Sequence, residues 1–303
     1  MIIDRATSPQ TQTLFFHDAA TNKKIHLVGT MHYNPYSIDK VTQLIHTYGS
    51  TGRLGSVVIE SCEERWLATQ KIQPKGSKLR WILDNEFVRA SELADQYDAR
   101  MILGDENISS NNERINSVFT QTLQDLCNPY DGWEAIVSDL LRGWRENVDP
   151  PLLSNTSKTE ANGRMFLDRR DLLDLDMLQS APISLARYVL GFAARKPIPG
   201  TLLLGWLAGL IGYGIVHGIG DDLSLLDEAK ATAAGLLLNL IIGVPLLGRV
   251  LLVTLLGDRN EILAKNIRDE CRRLKSEGRE DDVVVVVLGL AHCNGVKRLL
   301  CKM

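Results

Sequence analysis

The sequence predicts an α/β fold, a mainly parallel sheet with surrounding helices and a hydrophobic helical insertion. Three observations predict it. Short runs rich in Val, Ile and Leu alternate with segments of helical periodicity. Two of those runs close on the same ending, Gly29-Thr30-Met31-His32 near the front and Gly289-Leu290-Ala291-His292 near the back. Between them, within 201–256, lie two long runs almost without charge.

Taken in order, Thr11 to Asp18 and Lys24 to Val28 read as a hairpin around the polar turn AATN. Val41, Leu44, Ile45 and Tyr48 then stand at helical spacing, with Ser37 placed to cap. SVVIE, at 56–60, is a buried-type strand, and Ser61-Cys62-Glu63-Glu64 has capping-box spacing for the next helix. Ser91 to Asp98 reads as helical and Met101 to Leu103 as a short strand ending at Gly104-Asp105; Ser109 or Ser110 caps a helix towards Leu126. Asn128 to Ala181 reads as a helix and a polar loop. Glu261 to Leu274 is an amphipathic helix, Val283 to Leu288 a strand of five valines and a leucine, and Asn294 a cap for a closing helix.

Composition narrows the function. A chain of 303 residues, 45% hydrophobic and 23% charged, has material for a full core. Its 34 basic and 37 acidic residues form no long single-sign block, so nucleic acid is not expected as a partner. Five cysteines without a Cys-x-x-Cys fit a reducing compartment and argue against a disulfide scaffold or zinc knuckle. The start, MIIDRATSPQTQ, lacks the basic end and apolar run of a secretory signal.

In a parallel sheet the ligand site lies outside the carboxyl ends of the strands. His32, Glu60, Asp105 and His292 all fall at or just past such ends. A glycine directly after a strand lets the chain turn sharply and aim an imidazole into the crevice. Two imidazoles with one or two carboxylates suit a divalent metal with a position open for water. A lone histidine in such a place is more often a cap or a backbone partner; the matching pair favours a site. Cys62 and Cys293, beside site residues, read as small buried residues, not nucleophiles, and Glu63 and Glu64 as partners of a helix N-terminus.

Together, LVGTMHYNPYSIDKV, VVIESCEERW, GDENIS with Arg114 after it, LLGDRNEILAKNI and VVVVVLGLAHCNGV resemble the TraB/PrgY family, related to the GumN and Tiki proteins within the erythromycin-esterase and ChaN-like group. The resemblance spans roughly 24–115 and 255–296. It implies a TraB-like α/β domain in two parts, 1–127 and 258–303, separated by a helical and polar connection at 128–200 and a hydrophobic hairpin at 201–257. It also implies a metal-dependent hydrolytic centre acting on peptide or amide bonds, with His32, His292 and Glu60 around a Mn, Co or Zn ion. Glu60 is then a third ligand or the general base. Arg259 either stabilises an oxyanion or is an exposed helix-start residue, and Arg65, Asp105, Arg114, Asp258 and Asn260 are polar neighbours. The alternative function is that of a noncatalytic membrane regulator or tether, binding a peptide or protein partner in the same crevice, as pheromone-shutdown relatives are thought to do. One departure bears on activity: Gly104-Asp105-Glu106 has an acid where many relatives have Gly-Asp-Arg.

Thr201 to Gly220 has no formal charge and Ala234 to Leu256 only Arg249, and each is long enough to cross a bilayer. Gly205-x-x-x-Gly209 and Gly214-x-x-x-Gly218 suit close helix packing, which is also the role expected of His217. Basic flanks at Arg187, Arg195, Lys196 and Arg259 against the acidic connector DDLSLLDEAK predict a membrane hairpin whose ends, with the catalytic domain, face the positive-inside side, in an organelle or elsewhere. The competing expectation is a soluble intracellular protein with two buried helices, favoured by the glycines, Pro245 and Arg249.

Overall fold

Five consecutive valines decide the centre of the sheet. A strand covered on both faces needs apolar side chains at both parities, and Val283–Gly289 supplies them. Val284, Val286 and Leu288 enter one core and Val285 and Val287 the other. The computed structural model describes residues 12–148, 166–167, 171, 174–195 and 239–302. The expectations for 201–238, including Thr201 to Gly220, His217 and the acidic connector, lie outside the described residues, as does Lys196.

The strands are β1 (Thr13–His17), β2 (Lys24–Thr30), β3 (Leu54–Ile59), β4 (Arg100–Leu103) and β5 (Val283–Gly289), in the order β1-β2-β5-β3-β4. β1 is an antiparallel edge on β2, as the hairpin reading predicts, and the other four are mutually parallel. The last strand therefore enters between the two earliest parallel ones. Thr30 pairs with Gly289 and Ile59 with Val287, so β2, β5 and β3 end at one level.

Helices α1 (Pro35–Ser50) and α4 (Glu86–Gln96) cover one face with Val41, Ile45, Val88 and Leu93. α9 (Arg259–Ser276) and α10 (Leu290–Cys301) cover the other with Leu263, Ile267, Leu274, Val296 and Leu300. Between them in the chain come α2 (Glu63–Ile72), α3 (Lys78–Ile82), α5 (Ile108–Leu126), α6 (Asp131–Gly143), α7 (Leu175–Arg195) and α8 (Val244–Arg249).

Several helix starts differ from the sequence reading, each for a local reason. Pro35 needs no N–H partner at the first helical position, so Asn34 caps α1, and Ser37 accepts from Met31 N instead. Cys62, not Ser61, occupies the cap position of α2, without a side-chain bond. Asn85 caps α4 through Phe87 N and Val88 N, which moves its start forward from Ser91 to Glu86. Asn107 stands at the cap of α5, ahead of Ser109 and Ser110. α10 begins directly after Gly289, which leaves Asn294 inside the helix, bonded through its amide to Leu167 N and O.

α8 is flanked by π-helical segments, Asn239–Gly243 and Val250–Asp258, and continues into α9. Among the described residues, Ile241–Ser276 is one helix of 36 residues, long and apolar enough to cross a membrane. It runs straight through the boundary expected between 257 and 258. Its inner face packs on α5 and α6, where the buried Arg249 pairs with Asp125 and, at 2.6 Å, with Asp139. A buried guanidinium held by two carboxylates makes that stretch a specific contact as well as a greasy one.

Candidate active site

Gly289 is the point on which the site converges. A Cβ there would lie 3.2 Å from Glu60 Oε2, 3.6 Å from His32 Nε2 and 3.8 Å from His292 Cδ2. The strand order thus brings both Gly-x-x-His endings and the end of β3 around one backbone atom, where a side chain would press on Glu60. Gly289 N donates to Glu60 Oε2 at 2.7 Å.

Glu60 is buried, and its other oxygen, Oε1, accepts from Arg259 Nη2 at 2.6 Å and lies 3.3 Å from His292 Nε2. Burial alone would push this carboxyl up; His292, His32 and Arg259 more than reverse that and hold it below the usual carboxylate range. Arg259 also donates through Nη2 and Nε to Asp105, at 2.7 and 3.2 Å, and Arg65 reaches the same carboxylate at 2.8 Å. With a side chain only 11% exposed, Arg259 is a clamp between two buried acids and not an exposed helix-start residue. Glu106 turns to Arg114 at 2.7 Å, and its Oε1 is buried with no hydrogen-bond partner among the described residues. Burial pushes the Asp258 carboxyl up, with Arg114 opposing and Glu261 adding to it. Of the expected neighbours, Arg65, Asp105 and Asn260 join the centre, while Arg114 and Asp258 stand one step outside it.

Each histidine is oriented from behind. His32 Nδ1 lies 2.5 Å from Glu86 Oε1, and Glu86 Oε2 accepts from Tyr33 N at 3.0 Å. Burial opposes a charged ring, but Glu86, by charge and hydrogen bond, and then Glu60 outweigh it and raise the His32 pKa to about 9. The ring is 39% exposed, so solvent screens part of that attraction. His292 Nδ1 lies 2.7 Å from Asn260 Oδ1. Tyr33 adopts φ 62°, a left-handed conformation that costs energy for a tyrosine. α7 holds it there: Ser184 donates to His32 O, Arg187 to Tyr33 O at 3.4 Å, and Arg195 to the Tyr33 hydroxyl.

Both Nδ1 atoms face acceptors, so the Nε2 atoms are the ones turned to Gly289 and Glu60. A carboxylate or carbonyl behind an imidazole is the usual support of a metal-ligating histidine, and by donor chemistry His32, His292 and Glu60 fit a divalent ion. Spacing tells the other way: among the described residues no group of three or more His, Cys, Asp and Glu side chains stands ready to hold one. The two thiols beside the site, Cys62 and Cys293, are buried, and burial pushes the Cys293 thiol well up.

Sequence reasoning missed Glu86, Asn147 and Ser184. A glutamate in a first helical turn ordinarily serves the helix dipole in solvent; only packing buries Glu86 behind His32. The one local signal was Asn85, a capping residue directly before it. No protein-family model matches the chain, and no curated protein matches it.

Proposed function

We propose that the chain is a metal-dependent hydrolase of peptide or amide bonds, and that its likeness to TraB/PrgY proteins reflects a shared centre. The observation that carries this reading is the pair of imidazoles, each fixed at Nδ1 by an acceptor, with His292 Nε2 3.3 Å from the buried Glu60 carboxylate and His32 Nε2 beside the same Gly289. His32 and His292 would hold a Mn, Co or Zn ion through Nε2, and Glu60 through its carboxylate. Such an ion supplies Lewis acidity. Glu60, kept charged by its neighbours, suits a ligand and anchor better than a base, because a carboxylate of depressed proton affinity is a weak acceptor near neutrality. Arg259 keeps Glu60 and Asp105 from repelling each other and carries a permanent positive charge to the rim, where a developing oxyanion would meet it.

The noncatalytic alternative, a regulator or tether holding a peptide or protein partner, draws on one observation. Both oxygens of Glu60 are already engaged, by Arg259, His292 and Gly289 N. Metal analysis separates the two. Purified wild-type protein should carry one divalent ion and cleave a fluorogenic peptide set, and His32→Ala or His292→Ala should each lose the metal. Metal retained in both variants would remove the hydrolase reading.

We further read the chain as membrane-associated through the part of the Ile241–Ser276 helix that precedes α9, whose Val244, Leu247 and Leu251 face outwards while Arg249 and Leu252 face α5 and α6. Full-length protein should then stay in the membrane fraction through both high salt and carbonate, since apolar burial is not screened. Release by salt alone would favour the soluble alternative, with this helix as one member of a bundle.

A further inference from the structure

Three buried groups, Asn147, Asn260 and His292, form a chain whose polarity is fixed at one end by the backbone. Asn147 Nδ2 donates to Gly143 O at 2.9 Å and to Leu252 O at 3.3 Å. Carbonyls only accept, so this amide has one orientation, and its Oδ1 is left to accept from Asn260 Nδ2 at 2.7 Å. Asn260 Oδ1 is thereby turned to His292 Nδ1. An amide oxygen also only accepts, which puts a proton on Nδ1 whatever the state of Nε2.

The arrangement is built for close approach. A Cβ at Gly143 would come 2.8 Å from Leu252 Cβ, one at Gly257 3.3 Å from Leu252 O, and one at Gly295 would strike Asn260 Nδ2 and lie 2.9 Å from Asn147 Oδ1. Asn147 and Leu252 both sit in π-helical stretches, Trp144–Val148 and Val250–Asp258, a winding that concentrates at functional positions. The orientation of the buried His292 ring is therefore set from the long apolar helix.

We propose that Asn147 is a positioning residue: through Asn260 it holds a proton on His292 Nδ1 and so keeps Nε2 as the nitrogen that faces Glu60. The effect on metal binding rests on the reading of His292 as a ligand; the placement of the proton does not. A purely structural Asn147, tying α6 to the π-helical Val250–Asp258 and to α9, would leave that proton where it is when removed.

Nitrogen-15 NMR of the metal-free full chain, labelled at histidine, reads which ring nitrogen of His292 bears a proton. Wild type should show Nδ1 protonated and exchanging slowly with water. Asn147→Ala frees Asn260 to turn over, and the Nδ1 proton should be lost or shared between tautomers. Combining Asn147→Ala with Asn260→Asp should restore it, because a carboxylate offers an acceptor whichever way it turns. Titration with Mn²⁺ should show binding ~10–100-fold weaker in Asn147→Ala and recovered in the double variant. An unprotonated Nδ1 in wild type overturns the proposal whatever the variants do, including one that fails to fold. An unchanged Nδ1 in Asn147→Ala, or no rescue in the double variant, overturns it too. The expected NMR pattern with no Mn²⁺ binding in any of the three proteins upholds the positioning role and removes His292 as a ligand.

Discussion

The two Gly-x-x-His endings look alike in sequence and behave differently in the fold. After Gly29 the strand runs on to Thr30, and His32 stands in a loop, 39% exposed, with a buried carboxylate behind it. After Gly289 a helix starts at once, and His292 lies in its first turn, 6% exposed, with a neutral amide oxygen behind it. The charged partner draws a proton towards His32, whereas the neutral one only orients His292. One motif thus yields a charge-supported ring and a geometrically fixed one, and the difference comes from which residues the packing places behind Nδ1.

The largest test removes what the two rings share. Glu60→Gln deletes the negative charge facing Arg259 and both imidazoles, and should cost about 3 kcal/mol in urea unfolding, as breaking a buried ion pair does. Turnover should fall together with the bound metal if the hydrolase reading holds, because Glu60 acts there as ligand and anchor. A variant as stable as wild type would mean that Glu60 is not the charge organising the rim.

The two glycines sharpen the comparison next. A Cβ at Gly29 would come 2.8 Å from Cys293 Sγ and Leu290 Cδ2, inside the core. Gly29→Ala should therefore destabilise by roughly 1–3 kcal/mol through overpacking and leave metal binding nearly intact. Gly289 has φ −60°, which alanine tolerates, and its Cβ would meet the polar groups of the site. Gly289→Ala should cost less stability and weaken metal binding more. Equal losses of both kinds in the two variants would erase the distinction drawn between the endings.

The smallest effect uses a third histidine. His26, on β2, is buried with the Tyr48 hydroxyl at Nδ1, and burial pushes its pKa down to about 4. Its folded value lies below the unfolded one, so its contribution to stability is present above pH 6.5 and is lost as pH falls towards about 4. His26→Gln should lose less stability than wild type across that window, measured by urea midpoints. The same loss in both proteins would show that His26 is protonated without penalty and that burial alone does not set its pKa.

The sequence by itself determined the alternation of strands and helices, the edge hairpin and the doubly covered last strand, because five valines and a repeated 3.6-residue spacing leave little choice of partner surface. It also placed His32, Glu60, Asp105 and His292 at strand ends, since glycine punctuation marks where each strand stops. Only tertiary structure decided that β5 enters between β2 and β3, which turns residues about 260 apart in sequence into neighbours. It alone buried Glu86 behind His32 and threaded Asn147 through Asn260 to His292, because an acid in a first helical turn and an asparagine past a helix end carry no local mark of what will pack against them. It also made a clamp of Arg259, whose position before an amphipathic helix suits solvent equally well until Glu60 and Asp105 converge on it. The apolar run ending at Leu256 shows the same division: hydropathy fixed that it is a helix, whereas the ion pairs of Arg249 with Asp125 and Asp139 depend on two helices distant in sequence.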